Sequence, residues 1–181
     1  MTTFTDENKT LEFSFGENQE VFQYDLSRFY REKIEKYNSG IKAVDFLCRD
    51  NSCCKSFLIE AKCFRNLKGD DAKAKKGAEV AEELAVEISR KVFDTISGLY
   101  VATFSPQCDD EEKSFARQFL AYPLHVVFHY ELPRKWGEEM RKLRMADMKA
   151  RLKRKLQIID PTLRVENSLT AKYWNVTRKD A

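Results

Sequence analysis

Two short apolar runs in the N-terminal half carry charge where a buried strand tolerates it least: Ala43-Val44-Asp45-Phe46-Leu47 and Phe57-Leu58-Ile59-Glu60-Ala61-Lys62-Cys63. Taking a carboxylate out of water costs several kcal/mol unless a partner, usually a cation, replaces the water. The break Arg49-Asp50-Asn51-Ser52 is built of turn residues, so the two runs are expected to form an antiparallel hairpin. That hairpin sets Asp45 and Glu60 side by side. Residues two apart in a strand share a face, so Glu60 and Lys62 project together with Leu58, while Phe57, Ile59 and Ala61 take the other side. The bland alternative is an exposed edge hairpin whose Glu60–Lys62 pair is worth under about 1 kcal/mol.

Paired hard oxygen donors suit Mg²⁺ (or Mn²⁺), which keeps several waters and accepts one or two carboxylates. Such an ion lowers the pKa of bound water and offsets charge on a phosphate, and a neighbouring Lys can orient the water. At Asp45, Glu60 and Lys62, with fourteen residues between the two carboxylates, the chain resembles the PD-(D/E)xK nuclease superfamily. Its pattern is an Asp near the start of one core strand and Glu/Asp-x-Lys on the next. The resemblance covers residues 24 to 105 and implies a restriction-endonuclease-like core that hydrolyses nucleic-acid phosphodiesters. It also implies Asp45 and Glu60 as metal ligands and Lys62 beside the attacking water. Two features depart from the pattern: Val44, not Pro, precedes Asp45, and one clear strand stands between the first helix and Glu60 where the family usually has two.

Around this hairpin the remaining elements read in order. Residues 1 to 10 are polar and expected to fray. Leu11–Phe15 and Glu20–Tyr24 suggest an N-terminal hairpin, which could supply the missing core strand. Leu26, Phe29, Tyr30, Ile34 and Tyr37 keep helical spacing over 25–37, with Asp25 as candidate cap. Glu32 and Glu35, where the family often adds a helical Glu, fall opposite that stripe and read as solvated. The basic loop 64–76 offers Lys73, Lys75 and Lys76 as phosphate contacts. A long helix over 78–97 carries Ala81, Leu84, Ala85, Ile88, Val92, Ile96 and Leu99 on one stripe, with Arg90 and Lys91 read as solvated. Leu99–Phe104 reads equally as helix end or strand. Leu124–Leu132 is apolar on both faces and is assigned to the sheet interior. Its His125 and His129 would lie roughly 13 Å apart on one face, too far to share a metal. Nothing pairs a Ser or Cys with either His, so an acyl hydrolase is unsupported.

Arg134 to Gln157 holds ten Lys or Arg against three acidic residues, with Trp136, Met140, Leu143, Met148, Leu152 and Leu156 near helical steps. This basic amphipathic helix nominates Arg141, Arg144 and Arg151 for a nucleic-acid backbone, and two short strands are expected after Pro161. At 181 residues the chain suits one domain, with a nuclease-like core over 11–132 and the basic helix and C-terminal strands over 134–181. A net charge of +3 decides nothing about partners, and five cysteines without a disulfide framework suggest free thiols in a reducing compartment. No apolar run of membrane length and no leader are found, so the expected location is the cytoplasm. The reading is an α/β protein, a mixed sheet flanked by helices, acting as a Mg²⁺- or Mn²⁺-dependent nuclease on nucleic acid, DNA before RNA, with a homodimer left open. Its rival is a non-catalytic module that binds nucleic acid or protein through the basic helix.

Overall fold

Alternation along the central strands sends two apolar faces in opposite directions, and the chain covers each with a different kind of layer. The computed structural model describes residues 1–6, 10–65, 77–133 and 135–179. Strands β3 (Gln19–Phe22), β4 (Phe46–Asp50), β5 (Lys55–Cys63), β6 (Leu124–Glu131) and β7 (Arg164–Glu166) form one sheet in that order. β3, β4 and β5 are antiparallel, and β5, β6 and β7 are parallel. A second antiparallel sheet joins β1 (Thr2–Thr5), β2 (Leu11–Phe15) and β8 (Asn175–Arg178) in the order β1-β2-β8.

Leu47, Leu58, Val126 and Phe128 face one way, into a core shared with Ala85, Ile88, Val92, Phe119 and Leu152 of three helices. These helices are α1 (Gly77–Phe104), α2 (Asp110–Leu120) and α3 (Glu138–Leu156), and α1 packs against both others. Phe46, Phe57, Ile59 and Val127 face the other way and meet Phe13, Phe15 and Val176 of the second sheet and Trp174 just before β8. A large apolar side chain fully buried in either layer contributes roughly 1.5–3 kcal/mol. The molecule is therefore mixed α/β as expected, but helices cover only one face of the main sheet. The expectation did not include the second sheet, because a period-two pattern says which residues share a face and not what covers it.

The N-terminal third differs most from expectation. Leu11–Phe15 and Gln19–Phe22 do not pair with each other: β2 lies between β1 and β8, whereas β3 adds to β4. β3 thus supplies the extra strand beside the hairpin, by edge pairing and not through its own turn. Thr2–Thr5 is an ordered strand on β2, with Phe4 packed against Phe15 and Phe46. The expected helix over 25–37 is a 3-10 turn at Tyr24–Leu26 followed by a π-helical stretch at Tyr30–Glu35. Ser27, not Asp25, accepts the Tyr30 N–H, at 3.1 Å.

Farther along, Leu99–Phe104 continues the long helix. Asp110, Glu111 and Glu112 open α2 under an Asp109 cap that accepts the Glu112 N–H at 2.8 Å. On α3, Met148, Leu152 and Leu156 are buried, but Met140 and Leu143 of the expected stripe are exposed. The C-terminal strands are woven into both sheets, β7 on β6 and β8 on β2. Among the described residues no helix is long and apolar enough to cross a membrane.

Candidate active site

The β4–β5 register pairs Phe46 with Ile59 and Leu47 with Leu58, so one step beyond the ladder Asp45 falls opposite Glu60. The hairpin closes through a tight turn in which Asp50 Oδ1 accepts the Ser52 N–H at 2.9 Å and Cys54 adopts a left-handed φ of 52°. Asp45 Oδ2 accepts the Ala61 N–H at 2.8 Å, which fixes its carboxylate against β5. Glu60 Oε1 receives two ammonium groups, Lys91 Nζ at 2.7 Å and Lys62 Nζ at 3.1 Å, and Lys91 also lies 4.0 Å from Asp45 Oδ1. Its other oxygen, Oε2, is buried and has no hydrogen-bond partner among the described residues. The structure therefore brings Asp45, Glu60 and Lys62 together, all toward the α1 side of the sheet, and adds Lys91.

Burial is the main influence on Glu60, and the Asp45 charge acts in the same direction. Lys91 and Lys62 offset part of this, leaving the Glu60 pKa raised from 4.5 to about 7. For Lys91 burial favours the neutral amine, but Glu60 and Asp45 outweigh it and hold the ammonium above its ordinary value.

Helix α1 positions the strand that carries Asp45. Thr95 Oγ1 accepts the Val44 N–H and Asp94 Oδ2 accepts the Lys42 N–H, both at 3.0 Å. Arg90 Nη2 donates to the Gly40 carbonyl at 2.5 Å and its Nε lies 3.6 Å from Asp94. Reading Arg90 and Lys91 as solvated was thus mistaken for Lys91, whose side chain is only 12% exposed. The signal was available: Lys91 and Thr95 sit three and seven residues after Ile88, on the stripe that is otherwise apolar. A polar residue on the buried face of a helix needs a partner, and here the partners are the carboxylate pair and the backbone leading into it.

Two adjoining carboxylates, one oxygen of them uncommitted, fit a hard divalent cation that fills its other positions with water or phosphate. Among the described residues no group of three or more His, Cys, Asp or Glu converges, and the two carboxylates that meet here are Asp45 and Glu60.

The residues nominated for nucleic acid fare differently. Lys73, Lys75 and Lys76 lie outside the described residues. Arg151 is committed within the fold: its Nε is 3.0 Å from both Asp147 oxygens and its Nη1 is 2.7 Å from Glu82 Oε2. Lys155 also reaches Glu82, at 2.7 Å, so part of the basic face is neutralised by α1. Arg144 lies over the Trp136 ring at 5.9 Å, and Arg141 is half-buried near the start of α3. Glu32 is exposed and pairs with Arg28 at 3.2 Å, and Glu35 is exposed. His129 is fully buried 3.2 Å from Glu131, and His125 lies 3.6 Å from Asp160.

No family model and no solved structure matches the chain. Among curated proteins it is 32% identical over 156 residues to a cysteine--tRNA ligase of Neisseria meningitidis serogroup A / serotype 4A (strain DSM 15465 / Z2491), a match covering 74% of this chain. The chain spans only 22% of the length of that protein.

Proposed function

We propose that this chain is a metal-dependent nuclease with a restriction-endonuclease-like core, using Mg²⁺ or Mn²⁺ to hydrolyse phosphodiesters in nucleic acid, DNA first. The observation that carries the reading is the buried Glu60 carboxylate, facing Asp45 with Oε2 uncommitted and Lys62 beside it. A fold that wanted only stability would not leave such an atom unmatched, since an unsatisfied buried acceptor costs about 1–3 kcal/mol. Asp45 and Glu60 would hold the ion, which when bound supplies Lewis-acid polarisation of the phosphate and a more acidic water. Lys62 donates to the attacking water and offsets charge growing on the phosphate oxygens. Lys91 neutralises the carboxylate pair in the resting chain, holding two like charges together until a stronger cation shares them. We take the compartment to be the cytoplasm, where five cysteines without a disulfide framework would remain thiols.

One observation favours the rival. Lys91 already supplies a cation to both carboxylates, so the hairpin could be a scaffold for a non-catalytic binding module. Cleavage of labelled single-stranded DNA, duplex DNA and RNA with Mg²⁺ or Mn²⁺ separates the two. Transfer RNA belongs in that panel because the matched relative is a tRNA ligase. Metal-dependent cutting lost in both Glu60→Ala and Lys62→Ala supports the nuclease; binding without cutting by the wild type overturns it in favour of the rival.

A further inference from the structure

On the opposite face of the main sheet, toward the start of β5 and β6, lies a cavity of about 210 Å³ that the candidate active site does not use. Lys55 marks its end of β5, five residues from Glu60, or about 16 Å along the strand. Tyr173 forms its wall, with its ring centroid 4.5 Å from that of Phe57. Three cations converge on this one ring: Lys172 Nζ at 5.6 Å, and Lys55 Nζ and the Arg164 guanidinium each at 5.9 Å. His125 also lines the cavity, its ring 5.6 Å from that of Phe57.

Like charges gathered this closely raise the local potential, and a tyrosine face offsets little of it. Arg164 has Glu166 as a partner at 3.2 Å, but Lys55 and Lys172 make no ion pair among the described residues. The one carboxylate lining the cavity, Asp160, is already engaged. Its Oδ1 accepts from the backbone and hydroxyl of Thr162 at 2.8 and 2.7 Å, and its Oδ2 accepts the Val126 N–H at 2.9 Å. The cavity therefore presents three cations against the Asp160 and Glu166 carboxylates, a net positive charge, beside three ring systems, Tyr173, Phe57 and His125. An anion satisfies the first feature and a planar ring satisfies the second.

We propose that this cavity binds a nucleoside phosphate, with Lys55, Lys172 and Arg164 taking the phosphate and the Tyr173 wall taking the base. Its source is either a free nucleotide or the phosphorylated end of a strand, which share this chemistry. The inference does not rest on the nuclease reading.

Calorimetric titration of the full chain with AMP, inorganic phosphate, adenosine and a short 5′-phosphorylated single strand tests it. AMP should bind at least about tenfold more tightly than phosphate or adenosine alone, because charge and stacking act together. The Lys55→Ala/Lys172→Ala double variant, altered at solvent-accessible positions, should lose about tenfold in AMP affinity. Tyr173→Leu should reduce AMP to the level of phosphate. A strand end that binds more tightly than AMP and displaces it identifies the strand as the ligand; equal or weaker binding identifies the free nucleotide. No saturable AMP binding overturns the proposal, as does AMP binding that the double variant leaves intact. Should Tyr173→Leu fail to fold, the lysine variant decides alone.

Discussion

Glu60 and Glu131 stand on adjacent strands of one sheet, are 1% and 3% exposed, and have opposite electrostatic fates. Burial raises the pKa of both. For Glu131 it is outweighed by hydrogen bonds from His129 and Ser168, which leave it near 2. Its Oε1 takes the Ser168 N–H at 2.6 Å and its Oε2 lies 3.1 Å from Arg178, so it ties β6 to β8 across the two sheets. Glu60 instead faces a second carboxylate, keeps one oxygen unmatched and rises to about 7. Equal burial thus does not mean equal role. A carboxylate surrounded by donors holds the fold together, whereas one set against its like is where the proposed function places a divalent cation.

If that contrast is right, the largest effect separates the two in catalysis. Asp45→Ala and Glu60→Ala should lower metal-dependent cleavage at least about 10³-fold, while Glu131→Gln should retain wild-type rate per folded molecule; single-turnover cleavage rates measure both. Equal losses from all three would remove the distinction. Next, Glu131→Ala should lower unfolding free energy by about 3 kcal/mol in urea, since it strands the buried His129 and removes the carboxylate partner of the part-exposed Arg178.

The pH dependence should have opposite signs at the two residues. Glu60 holds its proton longer folded than unfolded, so its contribution falls as pH rises from 4.5 to about 7, by at most about 3 kcal/mol. Glu131 releases its proton more readily folded, so its contribution is full above 4.5 and disappears as pH falls toward about 2. Urea melts across pH in wild type and Glu60→Gln check this, with the decline between pH 4.5 and about 7 expected to flatten only in the variant.

A smaller effect belongs to Lys91. Lys91→Met should lower the metal-free melting temperature by a few degrees and enlarge the rise on adding Mg²⁺, because Glu60 then loses the ammonium 2.7 Å from its Oε1. A thermal-shift titration that finds the same Mg²⁺ response in both proteins would leave Lys91 as packing alone. The least effect is expected from Arg151→Ala: its guanidinium is occupied by Asp147 and Glu82, so nucleic-acid affinity and its salt dependence should stay unchanged in a filter-binding assay.

Much of the candidate site was legible because a β-hairpin is local. Turn residues, period-two alternation and fourteen intervening residues suffice to place Asp45 against Glu60 and Lys62 beside it. Lys91 was read as solvated although its place on the apolar stripe of α1 marks a buried position, and nothing local names its partner. The split of Leu11–Phe15 and Gln19–Phe22 between two sheets was not legible. Both segments have good strand character, and their partners β8 and β4 lie far along the chain.

What the sequence determined by itself is the chemistry of short range: strand against helix, which side chains share a face, the closing turn, and two carboxylates and a lysine converging on one face. Those follow from backbone periodicity and from the cost of burying charge, both of which act over a few residues. Only the tertiary structure decided that a second sheet covers the far face, that Arg151 is neutralised within the fold, that Lys91 meets Glu60, and that Lys55, Arg164 and Lys172 gather around Tyr173. Each of these joins residues from distant segments, and their meeting depends on how layers stack, which no local pattern encodes.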